Sequence, residues 1–181
     1  MEEDNHPAIP ASLTLMAGPI DTRVSPNAVN KFATSHPIEW FEQNVVSRVP
    51  FQFEGSGRPV YPGFLQLSGF MSMNTDKHAK AHRDLFGHLA EGRADEAETI
   101  ASFYDEYCSV LDLTAEFFLQ TIESVFHEQR IAKGELTHRG RKVDPSAIKR
   151  TTLLTIEGER DDICSVGQTA AAHGLCSSLP K

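Results

Sequence analysis

The sequence TTLLTIEGERDDI at residues 151–163 joins a short apolar run to an acidic turn. The run over Thr151–Glu157 consists mainly of Leu, Ile and Thr and is ended by Gly158. A second such run, SLTLMAG, occupies residues 12–18. Short apolar runs without strict alternation are typical of strands that are buried on both faces of a parallel sheet. We therefore predict two neighbouring parallel strands, followed by a helix over roughly 163–175, which is an α/β arrangement.

More than 130 residues separate the two predicted strands, and their sequence pattern predicts a mostly helical structure. A crossover between parallel strands needs about a dozen residues, usually one helix. We therefore predict that 24–145 form a large helical insertion, a lid over the end of the sheet, while 1–23 and 146–181 supply the core strands. Because two strands rarely form a stable sheet, the sequence is expected to be an incomplete part of a larger fold.

Within the insertion, capping signals and apolar periodicity predict the individual elements. Ser25 followed by Pro26 predicts the start of a helix that runs through Phe32. Apolar periodicity predicts two helices over 61–89 that meet near Asn74, and then an aromatic helix over 100–111. A further helix is expected after 112–114, and a small hairpin over 135–143 that turns at Arg139-Gly140.

The composition excludes several classes of function. The chain has 17 Lys and Arg against 25 Asp and Glu, so its formal charge is −8. That balance argues against nucleic-acid binding and against electrostatic docking on anionic membranes. No apolar run is long enough for a transmembrane helix, and the first residues do not resemble a signal peptide. Three cysteines, Cys108, Cys164 and Cys176, form no CxxC pair, which is typical of a reduced, cytoplasmic environment.

The acidic turn carries the candidate catalytic residues Asp161 and Asp162. Open α/β sheets place their sites at the carboxyl ends of the strands, where this turn would lie. A carboxylate there can accept a hydrogen bond from a catalytic histidine and fix its tautomer. The alternative is that one of the two aspartates only caps the helix that follows.

Other candidate motifs are weaker. The sequence contains no Gly-x-Ser-x-Gly or Gly-x-Cys-x-Gly, so no nucleophile elbow is predicted, and the three cysteines are expected to be plain small side chains, with Cys108 on a packed helix face. His78 and His82 have the spacing of zinc ligands on a helix, but no third ligand accompanies them, so a solvated helix face is expected. The aromatic residues over 40–70 are expected to be mostly core, and the stretch 58–64 is the first place to look for exposed ones.

Six segments together resemble the intracellular poly(3-hydroxybutyrate) depolymerases. They are LMAGPIDTR (15–23), VYPGF (60–64), MSMN (71–74), FYDEY (103–107), GELT (134–137) and TIEGERDDI (155–163). The similarity runs almost continuously from about Leu13 to Cys176 and corresponds to the C-terminal half of that family.

The resemblance implies the C-terminal part of an α/β-hydrolase fold, in which the two strands are the sixth and seventh and the insertion is the lid. In this superfamily the triad runs nucleophile, acid, histidine along the chain. A serine or cysteine nucleophile is then expected before Met1, and the histidine beyond Lys181. The acid is Asp161 by its spacing from Gly158, with Asp162 as the alternative. No metal or organic cofactor is implied.

The function implied is a carboxylic-ester hydrolase that degrades intracellular poly(3-hydroxybutyrate) or its oligomers. The chain alone is then expected to be inactive, and to be cytoplasmic or associated with storage granules, whose surface is a further candidate partner. One alternative is an acyltransferase similar to the polyhydroxyalkanoate synthases. Synthases usually carry a histidine directly after the catalytic aspartate, however, and this chain has Asp162 there. The other alternative is a non-catalytic fragment that binds granules through its aromatic residues.

Overall fold

The computed structural model describes residue 2 and residues 4–180. The chain divides into two compact units. We call the described residues up to Glu39 and from Leu119 onward the strand unit, and Trp40–Phe118 the helical unit. Met1, Glu3 and Lys181, which belong to the predicted segments 1–23 and 146–181, lie outside the described residues. The helical unit falls inside the predicted insertion 24–145, whose role as a lid remains a prediction.

The described residues form short strands and helices in a mixed order. The strands are β1 (Ser12–Met16), β2 (Ser47–Arg48), β3 (Pro59–Tyr61), β4 (Leu113–Thr114), β5 (Thr137–His138), β6 (Arg141–Lys142) and β7 (Thr152–Ile156). The α-helices are α1 (Ala28–Ser35), α2 (Ile38–Asn44), α3 (Gly63–Met73), α4 (Thr75–Ala90), α5 (Ala94–Tyr107), α6 (Ala115–Thr121) and α7 (Ala172–Leu175). A π-helical segment, Ile122–His127, continues α6, and a 3-10 turn, Pro145–Ala147, precedes β7.

The predicted parallel pairing of the two apolar runs is confirmed. Strands β1 and β7 pair in parallel, with a register that runs from Ser12 opposite Thr152 to Met16 opposite Ile156. Strand β1 ends at Met16 because the next residue, Ala17, has a φ of 48°, in the left-handed region. The Ala17 amide still donates to the Ile156 carbonyl at 2.9 Å, so the carboxyl ends of both strands lie side by side.

The prediction that both faces of this strand pair are buried is wrong for the described residues. Burial alternates along both strands, and Met16, Leu154 and Ile156 on one face are 69%, 52% and 44% exposed. Leu13 and Leu15 on the other face are partly covered. The pattern arises because the described residues of the strand unit pack against only one side of the pair.

The helix predicted over 163–175 is also largely wrong, because only α7 at its C-terminal end is helical. Residues 166–171 form turns instead. Gly167 has a φ of 96°, which an α-helix cannot contain. In addition, the Glu157 carboxylate accepts the backbone amides of Gly167, Thr169 and Ala170, whose hydrogen bonds would otherwise support a helix.

Helix α1 begins two residues later than the sequence predicts. Ser25 is not its N-cap, because Ser25 has a φ of 45°. The cap is Asn27, whose side chain accepts from the Asn30 amide, while the Asn30 side chain accepts from the Asn27 amide, both at 3.0 Å. This reciprocal pair is a capping box built from two asparagines.

The helical unit contains the predicted helices, but α5 begins six residues earlier and ends four residues earlier than predicted, and the unit also contains a sheet that was not predicted. Helices α3 and α4 meet at Asn74, as expected, and α4 packs against α5. The additional sheet is antiparallel, with the order β2-β3-β4, and its strands are only two or three residues long. No helix among the described residues has both the length and the apolar character that a membrane crossing requires.

The predicted hairpin is confirmed in the strand unit. Strands β5 and β6 pair antiparallel, with Thr137 opposite Lys142 and His138 opposite Arg141. The two connecting residues, Arg139 and Gly140, have φ values of 51° and 75°. Positive φ at both central residues defines the tight hairpin turn that matches the twist of the flanking strands.

Candidate functional site

The acidic turn holds the side chain of Asp161 by one of its two oxygens. Asp161 Oδ1 accepts the backbone amides of Ile163 at 2.8 Å and Cys164 at 2.9 Å. The amide of Asp161 donates to the Gly158 carbonyl at 3.2 Å, which closes the turn directly after β7. Asp161 Oδ2 accepts no hydrogen bond from the described residues, so a half-buried carboxylate has one oxygen fixed and one oxygen available.

Asp161, rather than Asp162, accepts the two amide bonds expected of a capping residue. Asp162 is exposed, whereas Asp161 is partly buried. The same two bonds restrict the Asp161 carboxylate to one orientation. The capping and catalytic interpretations of Asp161 are therefore compatible, because they use different oxygens of the same group.

Glu157, the residue after β7, anchors the segment that follows the turn. Its carboxylate accepts the amides of Gly167, Thr169 and Ala170 at 2.8–2.9 Å. The amides of Ala170 and Gly167 lower the pKa of Glu157, because they stabilise the ionised form. Glu157 was not predicted as part of the site, and its only signal in the sequence is an acidic side chain at the end of an apolar strand.

A buried polar contact ties this segment to the end of β1. Thr169 is fully buried, and its hydroxyl donates to the Gly18 carbonyl at 2.9 Å. The same hydroxyl lies 3.5 Å from the Sγ atom of the buried Cys164. The segment that follows β7 is therefore joined through Thr169 to the turn that follows β1.

A second carboxylate at this end of the sheet is already neutralised. Asp21 forms two hydrogen bonds of 2.8 Å with the Arg23 guanidinium, through Nε and Nη2. Arg23 lowers the pKa of Asp21 by these hydrogen bonds and by its charge. The amide of Asp21 donates to the Gln168 carbonyl at 3.1 Å. Asp21 thus helps to hold the site together, whereas Asp161 keeps an uncompensated charge.

The cysteines have the character of structural side chains. Cys164 and Cys176 are buried, and burial raises the pKa of both thiols, which disfavours the nucleophilic thiolate. The prediction that Cys108 lies on a packed face is wrong, because this side chain is exposed just beyond the end of α5.

The two histidines of α4 are not arranged as metal ligands. His78 is only 9% exposed, so the expected solvated face is wrong at this position. His78 Nδ1 is hydrogen-bonded to the Tyr104 hydroxyl at 2.8 Å, and His82 Nδ1 donates to the His78 carbonyl at 2.8 Å. Among residue 2 and residues 4–180, no group of three or more His, Cys, Asp or Glu side chains could hold a metal ion.

Comparison with known proteins gives one family. The family model described as "PHB de-polymerase C-terminus" matches residues 17–181, which include the turns after both β1 and β7. Neither the comparison with curated proteins nor that with solved structures gives a match. The matched range contains Asp161 and every residue that anchors its turn.

Proposed function

The chain belongs to the family of PHB depolymerase C-terminal regions, and on that premise we propose that it forms the acid-bearing part of a carboxylic-ester hydrolase that degrades intracellular poly(3-hydroxybutyrate) or its oligomers. The family description supports a role in PHB degradation. The observation that carries the finer proposal is Asp161, a carboxylate at the end of a parallel strand with Oδ1 fixed and Oδ2 available.

In this proposal, Asp161 Oδ2 accepts the N–H of a catalytic imidazole. That bond keeps the imidazole in the tautomer that can take a proton from the nucleophile, and it stabilises the imidazolium that forms. The nucleophile attacks the ester carbonyl, the alcohol leaves with the proton, and water then hydrolyses the acyl-enzyme. The 181 residues contain no nucleophile-elbow motif, so the proposal assigns the nucleophile to residues outside this sequence, and from the resemblance it assigns the histidine there as well.

The other carboxylates near the strand ends are poorer candidates for this role. Asp21 already binds Arg23 through both of its oxygens, and Glu157 already accepts three backbone amides. Asp162 remains the alternative acid, but it lies in an exposed position.

The proposal also assigns β1 and β7 to the sixth and seventh strands of an α/β-hydrolase sheet, with residues 24–145 as the lid. It is supported by the parallel register of the pair and by the acidic turn directly after the second strand.

A second candidate function is binding to the granule surface through aromatic side chains. It rests on Phe51, Phe53 and Phe64 of the helical unit, of which Phe51 is 91% exposed and the other two are also largely exposed. Exposed apolar groups of this size are typical of surfaces that meet another apolar phase.

An assay on a chain that joins these residues to a nucleophile and a histidine tests the main proposal. We expect release of 3-hydroxybutyrate or its oligomers from amorphous polymer. Consumption of hydroxyacyl-CoA with polymer growth would instead indicate the acyltransferase.

The second candidate function is tested by sedimentation of the chain, and of a Phe51→Ser/Phe53→Ser variant, with polymer granules. If the chain that also carries the nucleophile and the histidine binds granules but does not hydrolyse polymer, the hydrolase proposal is rejected and granule binding remains.

A further inference from the structure

The strand unit contains a cavity of about 660 Å³ on the Leu13–Leu15 face of β1. Small-molecule sites typically have volumes of about 300–1,000 Å³, so this cavity has the size of a ligand site. Most of its wall is aliphatic, formed by Leu13, Leu15, Ile131, Val143, Ile148 and Leu175. Asp161 does not line it. The cavity is therefore separate from the acidic turn.

One edge of the cavity is strongly basic. The β5–β6 hairpin contributes His138, Arg139, Arg141 and Lys142 to the lining. Arg141 is paired with Asp4 at 2.8 Å. The side chains of Arg139 and Lys142 make no ion pair or hydrogen bond with the described residues, and both are exposed. Two cations without an ion-pair partner among the described residues therefore lie beside an apolar cavity.

The acidic side chains of the lining are already engaged. Glu2 accepts the backbone amides of Lys149, Arg150 and Thr151 at 2.8–3.2 Å, and Asp144 Oδ1 accepts from the amide and hydroxyl of Ser146. Neither carboxylate forms an ion pair with Arg139 or Lys142 among the described residues, although the charge of Lys142 contributes to lowering the pKa of Asp144.

The basic edge is a local exception in an acidic chain. Residues 130–150 contain seven Lys and Arg against two Asp and Glu, although the whole chain has a formal charge of −8. The tight turn with positive φ at Arg139 and Gly140 places part of this charge at the tip of a fixed hairpin. An anionic group that approaches the cavity is therefore attracted to one side of its opening.

We propose that this cavity binds a linear aliphatic carboxylate. Its hydrocarbon chain lies against the aliphatic wall, and its carboxylate pairs with Arg139 and Lys142. Guanidinium and ammonium groups are the usual partners of carboxylates, and an apolar wall selects a chain over a small anion such as acetate. The same chemistry is shared by a fatty acid and by a hydroxyalkanoate oligomer with a free carboxyl end, so the competitors in the test distinguish these two sources.

Fluorescence titration of the 181-residue chain with 11-(dansylamino)undecanoate tests the proposal. We expect saturable binding with one site per chain, displacement by decanoate, and displacement by decanol that is at least about tenfold weaker because the alcohol lacks the charge. Displacement by a linear 3-hydroxybutyrate trimer as well as decanoate identifies an oligomer site, and displacement by decanoate alone identifies a fatty-acid site. Binding should weaken as salt rises from about 0.02 to 0.5 M.

Matched charge variants separate this site from non-specific binding. Arg139→Gln/Lys142→Gln should weaken binding of the probe by about tenfold. Lys77→Gln/Arg83→Gln, which removes two exposed charges from α4, should change it less than about twofold. All four side chains are exposed, so neither pair disturbs a packed core.

Several results would overturn the proposal, and three of them come from the titrations above. These three are the absence of saturable binding, equal displacement by decanol and decanoate, and equal loss of affinity in the two charge variants. Met16→Thr/Ile156→Thr should leave the affinity unchanged, because these side chains lie on the opposite, open face of the strand pair. Loss of binding in that variant would place the probe on the open face and reject the cavity as the site.

Discussion

The two carboxylate oxygens of Glu157 share the backbone amide of Gly167, each at 2.9 Å. Glu157 directly follows β7, whereas Gly167 lies in the turns before α7. The contact therefore closes a loop that contains Asp161. Because the ends of that loop are fixed, the carboxylate proposed as the catalytic acid has a defined position without lying on a regular element.

Glu157→Gln should destabilise the strand unit. The amide keeps the shape of the side chain but removes the charge that strengthens its bonds to three backbone amides. We expect a loss of about 1–2 kcal/mol in the free energy of unfolding at pH 7, low in the usual range because the group is partly exposed. Urea unfolding measures this loss, with Glu159→Gln as the control at an exposed neighbouring position.

The same substitution should change the pH dependence of stability. The pKa of Glu157 is lowered from 4.5 in the folded chain, so the stability it contributes is present above pH 4.5. That contribution is lost as the pH falls through the lower folded value. The difference in the free energy of unfolding between the wild-type chain and Glu157→Gln should therefore become smaller from pH 5 to pH 3. A constant difference over this range would show that the charge of Glu157 contributes nothing.

Gly167→Ala should be strongly destabilising for two reasons. The φ of 96° is unfavourable for any side chain, and a Cβ at this position would lie 2.7 Å from Val24 Cγ1. We expect a loss of about 2–4 kcal/mol in thermal or urea unfolding. Gly174→Ala is the control, since its Cβ would meet no atom within 4 Å. A loss below about 1 kcal/mol at Gly167 would contradict this packing.

In a chain that also carries the nucleophile and the histidine, Asp161→Asn should lower turnover by roughly 10³–10⁴. The carbonyl oxygen of the asparagine can still accept the amides of Ile163 and Cys164, so the turn should stay folded. Its other atom becomes an N–H donor, which favours the wrong histidine tautomer. Asp162→Asn should lower turnover by at most about tenfold. The opposite ranking in steady-state kinetics would move the acid to Asp162.

Tyr104→Phe should destabilise the helical unit because it removes the partner of a buried imidazole. His78 Nδ1 loses its 2.8 Å hydrogen bond, and the His78 side chain is buried. We expect a loss of about 1–2 kcal/mol in urea unfolding. Tyr107→Phe is the matched control, because Tyr107 contacts the His78 ring without a hydrogen bond. Equal losses in the two variants would show that the ring contacts alone support His78.

The open face of the β1–β7 pair should drive self-association of the isolated chain. Replacing Met16, Leu154 and Ile156 by Thr keeps strand propensity and removes the exposed apolar side chains. Sedimentation velocity should then show a smaller mean mass than for the wild-type chain. The control replaces Phe86, Leu89 and Leu111 of the helical unit, which are also exposed. A monomeric wild-type chain at tens of micromolar would disprove the prediction.

The elements predicted best from the sequence are those in which local signals and packing agree. Apolar periodicity or turn-forming residues within a short stretch of sequence mark each of three such features. They are the strand pair, the boundary between α3 and α4 at Asn74, and the hairpin at Arg139-Gly140. The strands of the β2-β3-β4 sheet are too short to produce a period, so they were missed. Their pairing depends on residues that are distant in sequence.

The errors arise where a side chain competes for backbone amides. The run after Ile163 has helical periodicity, but the Glu157 carboxylate takes three of its amides and Gly167 breaks the helical path. The position of Asp161 after an apolar strand could be predicted, because it follows from the order of residues. The sequence could not predict which of Asp161 and Asp162 accepts the two backbone amides, because that depends on the conformation of the turn.

The long separation between β1 and β7 has a consequence for synthesis of the chain. At about 5–20 residues per second, roughly 7–30 s pass between translation of β1 and translation of β7. The helical unit is continuous in sequence and can fold within that interval, whereas the strand unit cannot. The edge of β1 that pairs with β7 therefore stays without that partner during the interval. Until TLLTI is available, that edge of SLTLM is open to pairing with strands of other chains.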